Sequence, residues 1–335
     1  MRRIVTLALI VIFSSCENKK EEKIFKHDST EKQQLRSSEL IKEAWRLYES
    51  KTYLASAKKY SESFAGLGNK VSIYDRYNAA CSWALTNEID SSFVQLFRIA
   101  EEGNYTNYGH ITTDADLSVL HSDIRWNKLL DKIKVNKEKE EENFDKTLVA
   151  TLDTIYEDDQ ALRRQIEKIE KEFGKDSDKM KAHWAKISTQ DSKSLIKVQQ
   201  ILDDRGWLGQ DIIGRQGNST LFLVIQHAPV EIQEKYLSMM RDAVKENRAE
   251  PSDLAILEDR VATRTGKRQI YGSQIGRNQD SGEYFVIPIE DPKNVDKRRA
   301  DVGLGLLADY ISDWDIIWDV EKHKTMTEII ESKNR

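Results

Sequence analysis

This sequence of 335 residues has few cysteines, few prolines and no long apolar run near its start. The N-terminal apolar run, residues 4–13, has ten residues, whereas a helix that crosses a bilayer needs about twenty. Lys and Arg number 52 against 57 Asp and Glu, which argues against nucleic acid or anionic lipid as a partner. With 33% charged residues and a mean hydropathy of -0.64, the composition predicts a soluble chain that is long enough for two domains.

The motifs of the common enzyme classes are also missing. The sequence has no Gly-x-Ser-x-Gly elbow, no His-Glu-x-x-His pair, no Walker-type phosphate loop and no cysteine pair at metal-binding spacing. The residues therefore name no reaction, and we expect neither a cofactor nor a metal ion. The sequence does not decide whether the protein is an enzyme.

The first residues combine a positive start with a short apolar run and a cysteine. Arg2 and Arg3 precede the run, and small residues lead from it to Cys16. This pattern resembles a bacterial lipoprotein signal, which implies that residues 1–15 are removed as a signal peptide and that Cys16 is lipidated. Several acyl chains anchor a protein firmly, because each buried methylene contributes about 0.8 kcal/mol. A plain secretory signal cut nearby is the alternative.

Residues 16–37 would then begin the mature chain, and their polar composition predicts a flexible tether. We expect an outer-membrane lipoprotein of the cell envelope that faces the periplasm or the cell surface. Loss of Arg2 and Arg3 changes the formal net charge from -5 to -7. Once Cys16 is acylated, Cys81 is the single free thiol, which excludes an intramolecular disulfide and a cysteine-based metal site.

Residues 38–135 predict helical hairpins, because prolines are absent there and a repeat recurs at a spacing of 36 residues. The repeat pairs Ala44 with Ala80, Ser56 with Ser92, and Tyr60 with Leu96. This pattern resembles a tetratricopeptide repeat, and residues 78–85 resemble the first helix of a second unit. Arrays of this kind usually bind a peptide or another protein, and a purely structural role is the alternative.

Two such units are too few to stand alone, so a further helical piece has to close the array. Residues 116–120 and 123–130 carry apolar side chains at helical spacing and predict this closing cap. Residues 136–143 form a charge run, which predicts an exposed linker helix between the two halves.

Residues 144–311 predict a second, mainly helical domain. An apolar stripe at helical spacing runs through residues 144–173, and Asp159 interrupts it. A carboxylate in a core-facing stripe is costly unless it is paired, and Arg163 follows one turn later. Breaks of this kind concentrate at functional sites, and a buried ion pair that joins helices is the structural alternative.

The most apolar stretch, residues 221–225, runs directly into Gln226 and His227. Five successive apolar side chains leave no polar face, so we expect a helix that is buried on all sides, with Asn218 or the serine after it as N-cap. The polar side chains at its end then need partners inside the domain. Asp191 or the serine after it is expected to cap an earlier helix.

The pattern changes toward the C-terminus. Residues 267–274 are polar and residues 283–289 have strand propensity, so together they predict a small β-hairpin. Residues 312–335 are expected to form an amphipathic extension. The predicted fold class is therefore mainly α, with N-terminal tetratricopeptide-like helical hairpins followed by a helical domain with a small β-hairpin.

Several short motifs between residues 144 and 311 occur as a set. They are Asp159-Gln160-x-x-Arg163, Gly206-Trp207, Gln226-His227-Ala228, Asp259-Arg260, Gln269-x-Tyr271-Gly272-Ser273-Gln274, the segment 288–292, and Asp296-x-Arg298-Arg299-x-x-Val302-Gly303-Leu304. The set resembles a bacterial domain of unknown function, number 6624, with Ser273 where Thr is expected. The resemblance implies a helical domain that is often joined to tetratricopeptide repeats, and it brings no known activity.

The polar residues of this region define the candidate site. We expect Asp159, His227 and Asp259 to converge, with residues 269–274 as a wall. The candidate ligand-binding residues are Asp159, Arg163, Gln226, His227, Asp259, Arg260, Gln269, Tyr271, Gln274, Arg298 and Arg299. Arginines suit a carboxylate or phosphate ligand. The candidate catalytic residues are His227 as general base with Asp159 or Asp259 to orient it.

We favour a ligand-binding or protein-interaction module in the cell envelope, because a catalyst should also show a nucleophile or a set of metal ligands. A hydrolase-type enzyme with His227 as general base and a purely structural scaffold are the alternatives. The expected partners are the membrane, through the lipid anchor at Cys16, and a protein or peptide at the helical repeats.

Overall fold

The computed structural model describes residues 35–67, 71–278 and 281–333. The expected signal peptide, Cys16 and most of the expected tether lie outside these residues. Among the described helices, none combines the length and the apolar character that a membrane crossing requires. The chain divides into two compact units, with the division between Glu142 and Asn143.

The N-terminal unit is built from helical hairpins and a closing segment. Its helices are α1 (residues 35–49), α2 (Tyr53–Leu67), α3 (Ile73–Ala84), α4 (Ile89–Glu101), α5 (Tyr108–Thr113) and α6 (Ile124–Glu140), with a 3-10 helix at Ala115–Leu120 between the last two. Side-chain oxygens cap several of these helices, as Ser72 does for α3 and Asp123 for α6. Sequence-encoded caps therefore fix where the hairpins turn.

The repeat of 36 residues has a counterpart in the hydrogen bonds. Ser56 Oγ on α2 donates to Ala44 O on α1, and Ser92 Oγ on α4 donates to Ala80 O on α3, both at 2.8 Å. Each hydroxyl joins the two helices of its hairpin at the same place. The helical hairpins that the repeat predicts are present.

The closing segment packs its apolar residues against the second hairpin. Leu117, Leu120 and Leu129 are fully buried in one core with Phe93 and Leu96. Helix α6 continues through Glu140, so residues 136–140 of the expected linker belong to the last helix of this unit. A short turn follows before the next helix begins.

The C-terminal unit begins with six helices. They are α7 (Lys146–Arg163), α8 (Ile166–Phe173), α9 (Asp178–Arg205), α10 (Gln210–His227), α11 (Val230–Lys245) and α12 (Pro251–Arg264). Helix α10 packs against α7, α9, α11 and α12. Its residues Leu221, Val224 and Ile225 are buried in the main core, as the apolar stretch predicts.

Two expected helix caps were wrong. Helix α10 starts at Gln210 and is kinked at Gly214, which has a φ of 68°. Glycine adopts this left-handed conformation at little cost. Asn218 therefore lies inside the helix, where its Nδ2 donates to Leu208 O and Arg248 O at 2.7 Å each. Asp191 lies in the middle of α9, a continuous helix of 28 residues whose N-cap is Ser177.

A small β-hairpin follows α12, which confirms the predicted fold class of mainly α with a β-hairpin. Strand β1 (Ile275–Arg277) pairs antiparallel with β2 (Tyr284–Val286). The first strand begins after residues 269–274, because backbone N–H groups of that segment donate to the carboxylate of Asp259 instead of to a strand.

The unit ends with α13 (Val295–Asp301), α14 (Leu307–Ile311) and α15 (Val320–Lys333), with 3-10 turns at Pro292–Asn294 and Ser312–Trp314. Val286, Val295 and Leu307 form a second, smaller core beside the hairpin. His323 on α15 is buried and accepts a hydrogen bond from the N–H of Ile289 at 3.1 Å. The helix within residues 312–335 is thereby attached to the hairpin region.

Candidate functional site

A buried aspartate and a histidine meet where α7 and the end of α10 come together. Asp159 is 1% exposed, and its Oδ1 lies 3.0 Å from Nδ1 of His227. An ionised carboxylate can only accept hydrogen bonds, so the imidazole carries its proton on Nδ1 and donates it. In the neutral imidazole, Nε2 is then an acceptor.

Arg163 and Gln160 complete the surroundings of Asp159. Arg163 Nη1 lies 3.2 Å from Asp159 Oδ1, and Gln160 Nε2 donates to Oδ2 at 2.6 Å. Arg163 also binds Asp191 on α9 through two hydrogen bonds of 2.9 Å each. One guanidinium therefore joins two carboxylates and ties α7 to α9.

The charge of Asp159 depends on these partners. Burial alone would raise the pKa of its carboxyl group, but the hydrogen bond from His227 and the positive charge of Arg163 outweigh that effect and lower the pKa below its usual value. Asp159 is therefore ionised at neutral pH and holds the imidazole in one tautomer and orientation.

The imidazole of His227 lines a cleft of about 800 Å³. Helix α9 contributes Ser188, Asp191, Ser192, Leu195 and Ile196; α10 and the turn after it contribute Val224, His227, Ala228 and Pro229; and Val230, Glu231 and Arg264 complete the wall. Among the described residues, Nε2 of His227 has no hydrogen-bond partner.

Asp159, Asp191 and His227 are residue types that bind metal ions, and one ligand atom from each lies within 4.8 Å of the others. The guanidinium of Arg163 lies between the two carboxylates, at 3.2 Å from Asp159 and 2.9 Å from Asp191. A divalent cation would have to displace this positive charge. The two carboxylates are therefore matched by the guanidinium of Arg163 rather than by a metal ion.

Asp259 was expected to converge with Asp159 and His227, but its carboxylate binds backbone of its own region. It is fully buried and accepts hydrogen bonds of 2.6 to 3.2 Å from the N–H groups of Ile270, Tyr271 and Ser273. Within the described residues, no hydrogen bond or ion pair joins it to the other two. Its partners fix the segment after α12.

The remaining polar residues of the segment 269–274 also bind backbone. Gln269 Nε2 donates to Gln274 O and Ile287 O, while its Oε1 accepts from the N–H of Gln274. The backbone N–H of Tyr271 donates a hydrogen bond to Asp259. These contacts hold the loop against the hairpin. The side-chain amides of the loop already have hydrogen-bond partners.

Arg298 and Arg299, which were expected to bind an anion, bind carbonyl oxygens. Arg298 donates to Ile270 O at 2.9 and 3.0 Å and to the carbonyls of residues 290 and 291. Arg299 donates to Gly305 O at 2.6 Å and to Tyr271 O at 2.8 Å. A guanidinium has five N–H donors and suits several carbonyls at once.

Arg260 and Gln226 lie between the two groups. Arg260 Nη1 donates to Gln226 O at 3.1 Å and its Nε to Gln274 Oε1 at 3.2 Å. One turn later on α12, Arg264 Nη1 donates to Ala228 O at 2.8 Å. Both arginines thus reach the C-terminal end of α10, where a positive charge is favourable. Oε1 of Gln226 is buried and has no hydrogen-bond partner in the described part of the chain.

Several site residues were missed from the sequence. Asp191 interrupts the buried stripe of α9, whose members are Met180, His183, Ile187, Ser194, Val198 and Leu202. The signal that identified Asp159 would also have identified Asp191. Ser188, Glu231 and Arg264 have no comparable signal, because polar residues at exposed helix positions are ordinary.

The N-terminal unit has its own polar cluster, made of Cys81, Asp114, Asp116, Tyr48 and Tyr77. Tyr48 and Tyr77 donate hydroxyl hydrogen bonds to Asp116 and Asp114, the latter at 2.9 Å, and Sγ of Cys81 lies 3.7 Å from Asp114. Burial raises the pKa of the Cys81 thiol above its usual value, and a thiol binds a metal ion only after it loses its proton. We therefore interpret this cluster as part of the packed interior of the unit and not as a metal site.

The fold and the cleft define a class of protein: a mainly α chain whose C-terminal helical unit places an aspartate–histidine pair at the wall of an open cleft. The chain belongs to the Family of unknown function (DUF6624), whose model matches residues 146–321. The match begins with α7 and ends within α15, and it confirms the resemblance seen in the motifs. No curated protein and no solved structure matches the chain.

Proposed function

We propose that the C-terminal unit is a ligand-binding module whose site is the cleft beside His227. The observation that carries the proposal is the buried Asp159, which binds Nδ1 of His227, a residue of the cleft lining whose Nε2 has no hydrogen-bond partner among the described residues. Ligand sites are concave, largely apolar and equipped with a few oriented polar groups. The volume of about 800 Å³ lies within the range of about 300 to 1,000 Å³ that is usual for small ligands.

The test is nuclear magnetic resonance on the full chain with ¹⁵N-labelled histidine. The probes are soluble carboxylic acids, amines, amino acids and saccharides, each at millimolar concentration. We expect at least one class to shift the Nε2 signal of His227 and to leave the buried His323 unchanged. The result that would overturn the proposal is a His227 signal that no probe shifts.

A second candidate function is general-base catalysis of a hydrolytic reaction. It is favoured by the same pair, because a carboxylate on Nδ1 stabilises the imidazolium that forms when Nε2 takes a proton from water. The hydroxyls of Ser188 and Ser192 also line the cleft. Assays with p-nitrophenyl esters and phosphodiesters test it: turnover has to fall at least a hundredfold in His227→Gln, and no turnover with any substrate sinks this candidate.

The chain is further proposed to be a lipoprotein of the cell envelope, anchored at Cys16. The support is the sequence alone, in which Arg2 and Arg3, an apolar run and small residues precede the cysteine. Labelled palmitate should enter the wild type and the Cys81→Ala variant, and should not enter Cys16→Ala. Equal labelling of the Cys16→Ala variant would exclude lipidation at this residue.

The helical hairpins of the N-terminal unit are proposed to be tetratricopeptide-like. The repeat at 36 residues and the matching bonds of Ser56 and Ser92 support this. A protein or peptide partner at these hairpins stays a prediction. Because Tyr48 and Tyr77 already bind Asp116 and Asp114, a partner on that face would compete with the segment 114–120.

A further inference from the structure

The cleft beside His227 contains a positive and a negative side chain that lack ionic partners. Arg264 makes one hydrogen bond, from Nη1 to Ala228 O, and forms no ion pair within the described residues. Glu231 makes no side-chain hydrogen bond and no ion pair with any described residue. An unpaired arginine and an unpaired glutamate in one cleft leave one positive and one negative charge for a ligand to neutralise.

The other charged groups of the site are already matched. Asp191 lines the cleft but is bound by Arg163 through two hydrogen bonds. Asp159 is bound by Arg163 and by His227. Arg264 and Glu231 are both exposed to solvent, and they are the charged residues of the lining that have no ionic partner among the described residues.

Arg264 and Glu231 do not satisfy each other. Both line the cleft, yet no ion pair joins them, so their charged atoms are more than 4.0 Å apart. A molecule that carries a carboxylate and an ammonium group can bridge that gap and bind both. A molecule with only one of these charges leaves the other side chain unmatched.

The Arg264 end of the cleft also has an excess of positive charge. Arg260, one turn earlier on α12, binds Gln226 O and the amide of Gln274, and no carboxylate among the described residues pairs with it. Burial and the neighbouring charge of Arg264 lower the pKa of Arg260 to about 10. An incoming carboxylate at Arg264 reduces this repulsion.

The lining of the cleft also includes apolar residues. Leu195 and Ile196 of α9, Val224 of α10 and Val230 of α11 line it. Ile196 is 69% exposed, which leaves a large aliphatic side chain in contact with water at the cleft. An aliphatic group of a ligand would cover this surface and remove it from water.

We propose that the cleft binds a zwitterionic ligand of amino-acid or short-peptide size with an aliphatic side chain. Its carboxylate binds Arg264, its ammonium group binds Glu231, and its side chain packs on Leu195 and Ile196. Nε2 of His227 accepts a hydrogen bond from an N–H group of the ligand. This inference rests on the proposed function and names the class of ligand for the same site.

Isothermal titration calorimetry on the full chain tests the charge requirement with matched probes. Leucine carries both charges, 4-methylpentanoate lacks the ammonium group, and 3-methylbutylamine lacks the carboxylate. Leucyl-leucine separates the two charges and so distinguishes a free amino acid from a short peptide. At least one zwitterion is expected to bind ten times or more tightly than either singly charged analogue.

Two variants assign the charges to residues. Arg264→Gln should weaken the zwitterion at least tenfold and leave 3-methylbutylamine unchanged, whereas Glu231→Gln should weaken the zwitterion and leave 4-methylpentanoate unchanged. The matched control is Arg215→Gln, which removes an exposed arginine of α10 outside the cleft and should change no affinity. An effect of Arg215→Gln equal to that of Arg264→Gln would point to net charge and overturn the assignment.

The two proposals fail in different ways. If a singly charged analogue binds as tightly as the zwitterions, or if neither zwitterion binds, the zwitterion inference is overturned. The ligand-binding function still stands in that case when another probe class shifts the His227 signal. If no probe of any class shifts that signal, both proposals are wrong.

Discussion

Asp159 and Asp259 are both helical, both buried and both in the C-terminal unit, but they differ in their partners. Asp259 accepts from three backbone N–H groups, and the positions of those donors are set by the fold. Asp159 accepts from the side chains of His227, Arg163 and Gln160. One carboxylate therefore determines where the chain runs, and the other determines the orientation and protonation of an imidazole.

Two histidines of this unit, His323 and His227, show the same contrast. His323 accepts a hydrogen bond from the N–H of Ile289 and attaches α15 to the hairpin region. His227 binds a carboxylate at Nδ1 and is one of the residues that line the cleft. A polar group with backbone partners has a structural task, whereas one with ionisable side-chain partners beside a cleft can respond to a ligand.

The largest expected effect is on stability, from Asp259→Ala. The substitution leaves the N–H groups of Ile270, Tyr271 and Ser273 buried without an acceptor, at about 1 to 3 kcal/mol each. We expect the free energy of unfolding to fall by at least about 3 kcal/mol in urea titrations. The control is Asp242→Ala, an exposed partner of Lys245, which should change the free energy of unfolding little. A loss below about 1 kcal/mol for Asp259→Ala would refute a structural task for this residue.

Asp159→Asn should affect the imidazole more than the fold. Arg163 keeps both hydrogen bonds to Asp191, so no charge is left unpaired, and we expect a loss of about 2 kcal/mol. The ¹⁵N spectrum of His227 should lose its preference for the Nδ1-protonated tautomer. His323 is the internal control, because its Nε2 accepts from backbone and its tautomer should not change. An unaltered tautomer of His227 would contradict this account.

The pH dependence of Asp159 has a defined sign. Its pKa is lower in the folded chain than in the unfolded chain, so its contribution to stability is complete above the unfolded value of about 3.9 and is lost as the pH falls through the folded value. The stability difference between the wild type and Asp159→Asn should therefore shrink below pH about 4. Urea titrations at pH 3 and pH 7 measure it.

The sequence predicted the mainly helical fold and the small hairpin. It also identified Asp159, a side chain that breaks an apolar stripe. Asp159 stood out because every neighbouring position of its stripe is apolar, and the end of the apolar run of α10 placed His227 in the interior. Asp191 was missed because a polar residue followed by serine also matches a helix cap, and sequence does not say whether a helix begins or continues there.

The partners of Asp259 could not be read from the sequence for a different reason. Its ligands are backbone N–H groups of residues 270, 271 and 273, and every residue other than proline has such a group. The bonds of Arg298 and Arg299 to carbonyl oxygens could not be predicted for the same reason, because backbone carbonyls leave no mark in the sequence pattern. Side-chain partners are visible in a sequence, and backbone partners are not.

A smaller effect is expected from His323, through pH. Burial and the charge of Arg268 lower the pKa of His323 to about 4, whereas an unfolded histidine has a value near 6.5. The unfolded chain therefore binds more protons between these values, and stability is lost as the pH falls through this window. We expect the wild type to lose about 1 to 2 kcal/mol more than His323→Gln between pH 7 and pH 5. Equal losses in the two proteins would mean that His323 is protonated in the fold.

The smallest expected effects are those of Ser56→Ala and Ser92→Ala. Both hydroxyls bind backbone carbonyls, so we expect these substitutions to change stability and not ligand binding. Ser56 and Ser92 are 36 residues apart, and each substitution removes one hydrogen bond to a backbone carbonyl of the paired helix. Each should therefore lower the free energy of unfolding by about 0.5 to 1.5 kcal/mol. Ser56→Ala should cost slightly more, because Ser56 Oγ also lies 3.0 Å from Ser82 Oγ. The control is Ser61→Ala, whose hydroxyl binds only within its own helix and whose loss should stay below about 0.5 kcal/mol. If Ser92→Ala costs no more than this control, the two hairpins do not share the contact that their repeat implies.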